Sequence, residues 1–129
     1  MPKRQSIEIS SFGHANPIPG ASKIGNLLMS SIINGANPGT KELPDDLARQ
    51  ISNIFIHIRN CVTAAGGTQD DIIKVNFWLK DPAGQRVALN EEWVKMFPDP
   101  ASRPARHTAQ LPADSRALVT CDFVAVIGS

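Results

Sequence analysis

From Leu118 to Ile127 every residue except Thr120 and Asp122 is apolar. The run is far shorter than the ~20 apolar residues that span a bilayer, and its valines, Phe123 and Ile127 suit a pleated backbone, so it predicts a long strand over Ala117 to Ile127 that is apolar on both faces. Such a strand needs cover above and below. The rest of the chain offers two helices, which cannot cover both faces of one sheet. If they cover one face, the apolar residues left on the other, from this strand and from Leu27 or Leu28, need a second cover, and self-association is the simplest supply.

The other elements follow from punctuation and period. Ile7 and Ile9 alternate with Ser6, Glu8 and Ser10 as a short half-buried strand, and the two prolines and two glycines between Phe12 and Gly20 make a loop. Lys23 to Ile33 reads as one strand, with Leu27, Met29, Ser31 and Ile33 on one side and Leu28, Ser30 and Ile32 on the other. Asn34 to Gly39 is rich in turn residues. Asp45 to Ala65 places Leu47, Ile51, Ile54, Phe55, Ile58 and Val62 at helical spacing, with Asp45 and Asp46 at the favourable N-terminal end and Gly66 at the stop. Ile73, Val75, Phe77 and Leu79 share one face of a strand whose other face holds Lys74, Asn76, Trp78 and Lys80. Asp81-Pro82 is an N-cap followed by a proline at the first helical position, and Leu89, Trp93 and Met96 continue a helix that Pro98 must end. A short strand after Pro104 completes the order ββ-α-β-α-ββ within one domain over 1–129.

Several function classes fall away on composition. Thirteen Lys plus Arg stand against twelve Asp plus Glu, for a net charge of +1, and no basic run exceeds Lys3-Arg4. That pattern provides no electrostatic footprint for a phosphate backbone, so no nucleic-acid partner is expected. No membrane partner is expected, and the opening MPKRQSIEIS has no apolar signal core, which points to a cytoplasmic protein. His14, His57 and His107 have no metal-ligand spacing, and Cys61 and Cys121 are too few for a disulfide framework and read as reduced thiols. The motifs of P-loop, dinucleotide-binding and serine-elbow enzymes are absent.

The punctuation that remains is more specific. Ile24-Gly25-Asn26 leads into Ser30-Ser31; Asn37-Pro38-Gly39-Thr40 precedes the first helix; Gln50 lies within it and Ala64-Ala65-Gly66-Gly67 at its end. Asp71-Ile72-Ile73-Lys74-Val75 and Lys80-Asp81 flank the central strand, Asn90, Trp93 and Phe97 follow in the second helix, and Arg103-Pro104-Ala105-Arg106 comes after it. In these residues, in this order, the chain resembles the reactive intermediate deaminase family, also called Rid or YjgF. The resemblance implies an α+β, chorismate-mutase-like fold: a mixed sheet with two helices on one face, assembled as a homotrimer with clefts between subunits. It also implies hydrolysis of enamines and imines that carry a carboxylate, releasing ammonia and a 2-oxo acid without metal or organic cofactor.

Carried over residue by residue, the resemblance places Arg106 on the substrate carboxylate, a task suited to the planar fork of a guanidinium. Ser31 either donates to that carboxylate or is satisfied by nearby backbone, and Asn90 either meets ligand or braces a loop. Ile18 stands where the family has a tyrosine, and Ser31-Ile32-Ile33 where it has Ser-Gly-Gln, so Ile18 and Ile33 are expected to line the pocket. The family's water-activating glutamate is replaced by Thr120; Asp122 shares its face but lies a strand step of ~6 to 7 Å away. His14, in the loop that approaches the cleft, is a further candidate proton acceptor. His107 should point away from Arg106, towards a structural or subunit contact, and His57, at the edge of the helical core or facing solvent, receives no role. Without the glutamate, the alternative function is a non-catalytic trimeric module that binds a small carboxylated metabolite. A third class, a thiol-regulated or chaperone-like holdase, rests only on the two cysteines and the apolar sheet.

Overall fold

The computed structural model describes residues 3–128. Seven strands form one mixed sheet: β1 (Gln5–Ile7), β2 (Ala21–Ile24), β3 (Leu27–Ser30), β4 (Ile33–Asn34), β5 (Ile72–Leu79), β6 (Ala105–Gln110) and β7 (Val119–Val126). Their spatial order is β1-β2-β3-β7-β5-β6, with β4 paired to β7 beyond β3. Among the described residues, only β5 and β6 run parallel. The apolar run at the C-terminal end is thus β7, at the centre, flanked by β3 and β4 on one side and β5 on the other.

Both helices, α1 (Leu47–Ala64) and α2 (Pro82–Met96), lie on the same face. Phe77 of β5 shows this directly, because its ring stacks 5.9 Å from Phe55 of α1 and meets Trp93 of α2 edge-on at 6.1 Å. Val75, Phe77 and Leu79 of β5 and Val119, Cys121, Phe123 and Ala125 of β7 are buried beneath the helices, as their alternation requires. Asp46 caps α1 by accepting from the Arg49 N–H, and Asp81 caps α2 by accepting from Gly84. Each aspartate thereby satisfies an amide that the helix itself leaves free.

Among the described residues, the opposite face of the sheet has no helix. Ile24, Leu27 and Val126 lie side by side across β2, β3 and β7, with Met29 beside Val124. All of Ile24, Leu27, Met29 and Val126 are exposed, up to 54% for Ile24 and Met29. Leu28, by contrast, enters the core, so Leu27 is the residue of that pair left uncovered.

Two expectations need correction. The segment Lys23 to Ile33 is not one strand. It turns at Gly25-Asn26 as a β2–β3 hairpin, where Gly25 adopts φ +59°, and breaks again before β4. The two-residue Gly25-Asn26 step between apolar residues is a hairpin signal that reading one continuous strand passed over. His57 is also misplaced by its neighbours in sequence: it is wholly buried. Its Nε2 lies 2.7 Å from the Ala36 carbonyl and its Nδ1 2.8 Å from the Ser11 hydroxyl, so Nε2–H donates to the carbonyl and Nδ1 accepts from Ser11.

His57 belongs to a polar stripe on α1 with Gln50 and Asn53, all buried. Gln50 donates to the Pro44 carbonyl and accepts from the Leu118 N–H, and Asn53 donates to the Gly35 carbonyl and to Asn37 Oδ1. These bonds satisfy the irregular backbone that joins β4 to α1. Gly35 makes the close approach possible, since a Cβ there would sit 2.4 Å from the Gln50 carbonyl oxygen.

Burial holds the His57 pKa below its ordinary 6.5, with the Ala36 hydrogen bond opposing in part. The unfolded chain therefore takes up this proton before the folded one does. The stability contribution is complete above pH 6.5 and is lost as pH falls below it. We expect the urea midpoint of the wild type to drop between pH 7.5 and 5.5, by up to about 1.4 kcal/mol of stability per pH unit, and the His57→Gln variant to show a shallower slope. Equal slopes would mean that folding does not lower the His57 pKa.

Candidate functional site

The signature Arg103-Pro104-Ala105-Arg106 divides into an anchor and a free group. Arg103 donates from Nε to the Phe97 carbonyl at 2.8 Å and from Nη2 to Pro98, which closes the end of α2 against the start of β6. Arg106 lies opposite Val75 in the parallel β5–β6 pair and therefore points to the helical side of the sheet. Its guanidinium sits 5.0 Å from the centre of the Trp93 ring, and Nη2 donates to Asn90 Oδ1 at 2.9 Å. The indole face and the amide fix the plane of the fork. Partial burial, and secondarily the positive charge of Arg86, push the Arg106 pKa down, so the environment favours an anion that would stabilise the cation. None is supplied internally: among the described residues the only ion pair is Lys95 with Glu92.

A second group forms around the break between β3 and β4. The loop from Phe12 to Gly20 folds against it, with the Ser31 N–H donating to the Gly20 carbonyl and Ser31 Oγ to that of Pro19. The hydroxyl of Ser31 is thus committed as a donor to backbone and keeps its lone pairs. His14 Nε2 lies 2.7 Å from the Ile32 carbonyl, the ring meets Phe12 edge-on at 5.0 Å, and Nδ1 is buried without a hydrogen-bond partner. Ile18 and Ile32 are exposed beside this loop. Ile33 is fully buried, because it pairs with Cys121 beneath α1, so its side chain is not available to a ligand.

Thr120 adjoins this second group through β4, where it pairs with Asn34. It lies across from Trp78 on the open face of the sheet, half-buried. Asp122, on the same face, accepts from Asn76 Nδ2 at 2.8 Å and so has a structural partner. His107 pairs in register with Asn76 and points to the open face, away from Arg106, as its position after Arg106 implies.

The residues singled out from the sequence therefore make two groups. Arg106 and Asn90 meet on the helical side at the β6 edge. His14 and Ser31 hydrogen-bond to backbone at the β3–β4 break, Ile18 is exposed in the same loop, and Thr120 pairs with Asn34 of β4 on the open face of the sheet. Within one copy of the chain, Arg106 and Thr120 lie on opposite faces of the sheet. Sequence reasoning placed Trp93 on the second helix and missed it as the platform under Arg106, although its i+3 spacing from Asn90 was a usable signal. Among the described residues, no group of three His, Cys, Asp or Glu side chains could hold a metal ion, and no helix is long and apolar enough to cross a membrane.

The family model described as Endoribonuclease L-PSP matches residues 9–127. A RutC family protein of Haemophilus influenzae is 30% identical over 103 residues, covering 76% of this chain and 78% of that protein. The 2-iminobutanoate/2-iminopropanoate deaminase of Escherichia coli is 32% identical over 95 residues, covering 70% and 73%. The crystal structure of RidA from the Antarctic bacterium Psychrobacter sp. superposes with a TM-score of 0.86 at 28% identity, covering 95% of this chain and 99% of that one.

Proposed function

The chain belongs to the reactive intermediate deaminase (Rid, YjgF) family, and from that premise we propose that it hydrolyses an enamine or imine bearing a carboxylate, in clefts formed between copies of itself. The observation that carries this reading is Arg106: a fork held on Trp93 and Asn90, partly desolvated, with no internal carboxylate. A 2-imino acid presents the complementary planar anion. Addition of water across the C=N bond gives a carbinolamine, whose C–N bond breaks to leave ammonia and a 2-oxo acid. An enamine joins the same path after its carbon takes up a proton.

The separation of the two residue groups supports an assembled site. The exposed strip of Ile24, Leu27, Met29 and Val126 is the surface a second copy would cover, and an assembled site would draw the Arg106 group and the Thr120 group from different copies. We propose a homotrimer. Sedimentation at micromolar concentration should return three times the chain mass, and a monomer would leave each half-site incomplete.

The Thr120 hydroxyl can position the attacking water but cannot accept its proton near neutral pH. This is the feature that favours the second reading, a binding module that holds a carboxylated metabolite without turnover. The two readings separate on ammonia release from freshly generated 2-aminoacrylate. On the enzymatic reading the wild type releases ammonia slowly, and Thr120→Glu raises the rate, general-base help being worth typically ~10²- to 10⁴-fold. A fast wild type unaffected by Thr120→Glu or Asp122→Asn would move the proton acceptor to His14 or to the substrate's own carboxylate. Binding without any release would favour the module.

The carboxylate clamp itself has a simpler test. Arg106→Lys keeps the charge and loses the fork, so pyruvate affinity measured by calorimetry should fall by roughly 1.5 to 3 kcal/mol, the usual worth of a hydrogen bond to a charged group. The endoribonuclease of the family model's description finds no counterpart in this chain's charge, which is +1 with no basic tract.

A further inference from the structure

Arg106 is not the only cation at its edge of the molecule. Arg86 lies on α2 one turn before Asn90 and two turns before Trp93, the i, i+4 and i+7 positions of a single helical face. Asn90 is hydrogen-bonded to Arg106 and Trp93 lies under its guanidinium. The face that holds Arg106 therefore also presents Arg86, and the charge of Arg86 is felt at Arg106. No acidic side chain is ion-paired with either, because Lys95–Glu92 is the only salt bridge among the described residues. The acceptor that Arg106 does have, Asn90 Oδ1, is neutral.

Two adjacent guanidiniums without a counter-charge repel each other, and the chain does not impose this by being basic, since its net charge is only +1. A single carboxylate engages one fork in two parallel hydrogen bonds and leaves the other cation unmatched. His14, Ile18, Ser31 and Thr120 include no carboxylate, and the carboxylate of Asp122, on the same face, is held by Asn76. Resting on the deaminase reading above, we infer that the site takes imines or enamines of dicarboxylic amino acids, with Arg106 on the carboxylate beside the reacting carbon and Arg86 on the distal one. The reaction then delivers ammonia and a 2-oxo dicarboxylate.

Calorimetry with three product-like probes tests this: pyruvate, oxaloacetate and 2-oxoglutarate. At low salt, at least one of the dicarboxylates should bind wild type ~10-fold or more tightly than pyruvate, and 0.5 M NaCl should narrow the gap because this part of the affinity is exposed charge pairing. Arg86→Gln should remove most of the dicarboxylate advantage, and Arg86→Lys, which keeps the charge on an exposed helical position, should restore much of it. Equal affinities for mono- and dicarboxylates in wild type, or a dicarboxylate advantage that survives Arg86→Gln, would overturn the inference while leaving the clamp intact. Pyruvate binding that is indifferent to Arg106→Lys, or absence of binding by all three probes, would overturn the clamp and the inference together.

Discussion

The buried polar stripe of α1 is the constraint on which the rest of the molecule leans. Gln50, Asn53 and His57 sit on the face of a helix that should be apolar, and each hydrogen-bonds to backbone or to a side chain of the irregular segments around it. Unpaired, each would cost about 1 to 3 kcal/mol; paired, they fix where non-repetitive chain must run. The consequences reach the candidate site. His57 accepts from Ser11, Asn60 donates to the same hydroxyl, and the Ser11 carbonyl accepts from Gly39. Ser11 opens the loop that carries His14 and Ile18 to the Ser31 backbone. A helix residue thus sets the position of a loop that lies against a different strand.

The Arg106 half-site is tied to the core by a different device. Trp93 meets the guanidinium with its face and Phe77 and Phe97 edge-on, and Phe77 in turn stacks on Phe55 of α1. The cation is therefore placed by aromatic packing that already stabilises the fold, and Asn90 supplies the one direct bond that orients it. Rigid placement of this kind matters for a clamp, because a fork already held in plane loses less freedom when a carboxylate arrives. The same face adds Arg86 by helical repeat alone.

The elements were legible where a local rule was strong. Asp81-Pro82 marks the start of α2, Gly66 the stop after α1, and the 118–127 run the central strand, because caps, breakers and continuous apolar runs act on their own neighbours. The β2–β3 hairpin was signalled by Gly25-Asn26, a two-residue turn pair, but reading Lys23 to Ile33 as one strand passed over it. His57 was misread for another reason. Between Ile54 and Ile58 its surroundings in sequence say core edge, whereas its partners, Ser11 and Ala36, are far away along the chain.

For the candidate site the division is the same. The sequence by itself determined that an arginine follows Pro104-Ala105, that its neighbour His107 faces the other way, that Thr120 stands on the central strand, and that two helices leave one sheet face uncovered. These are matters of residue type and of period, which need no knowledge of what lies across the sheet. Only the tertiary structure decided that Arg106 faces the helices while Thr120 faces away from them, that Trp93 is the platform, and that Ile33 is lost to the core. Which face an alternating strand turns inward depends on its register with strands elsewhere in the chain, and a shift of one residue would exchange the two faces. The parallel pairing of β6 with β5 sets that register for Arg106, and the antiparallel pairing of β7 with β4 and β5 sets it for Thr120.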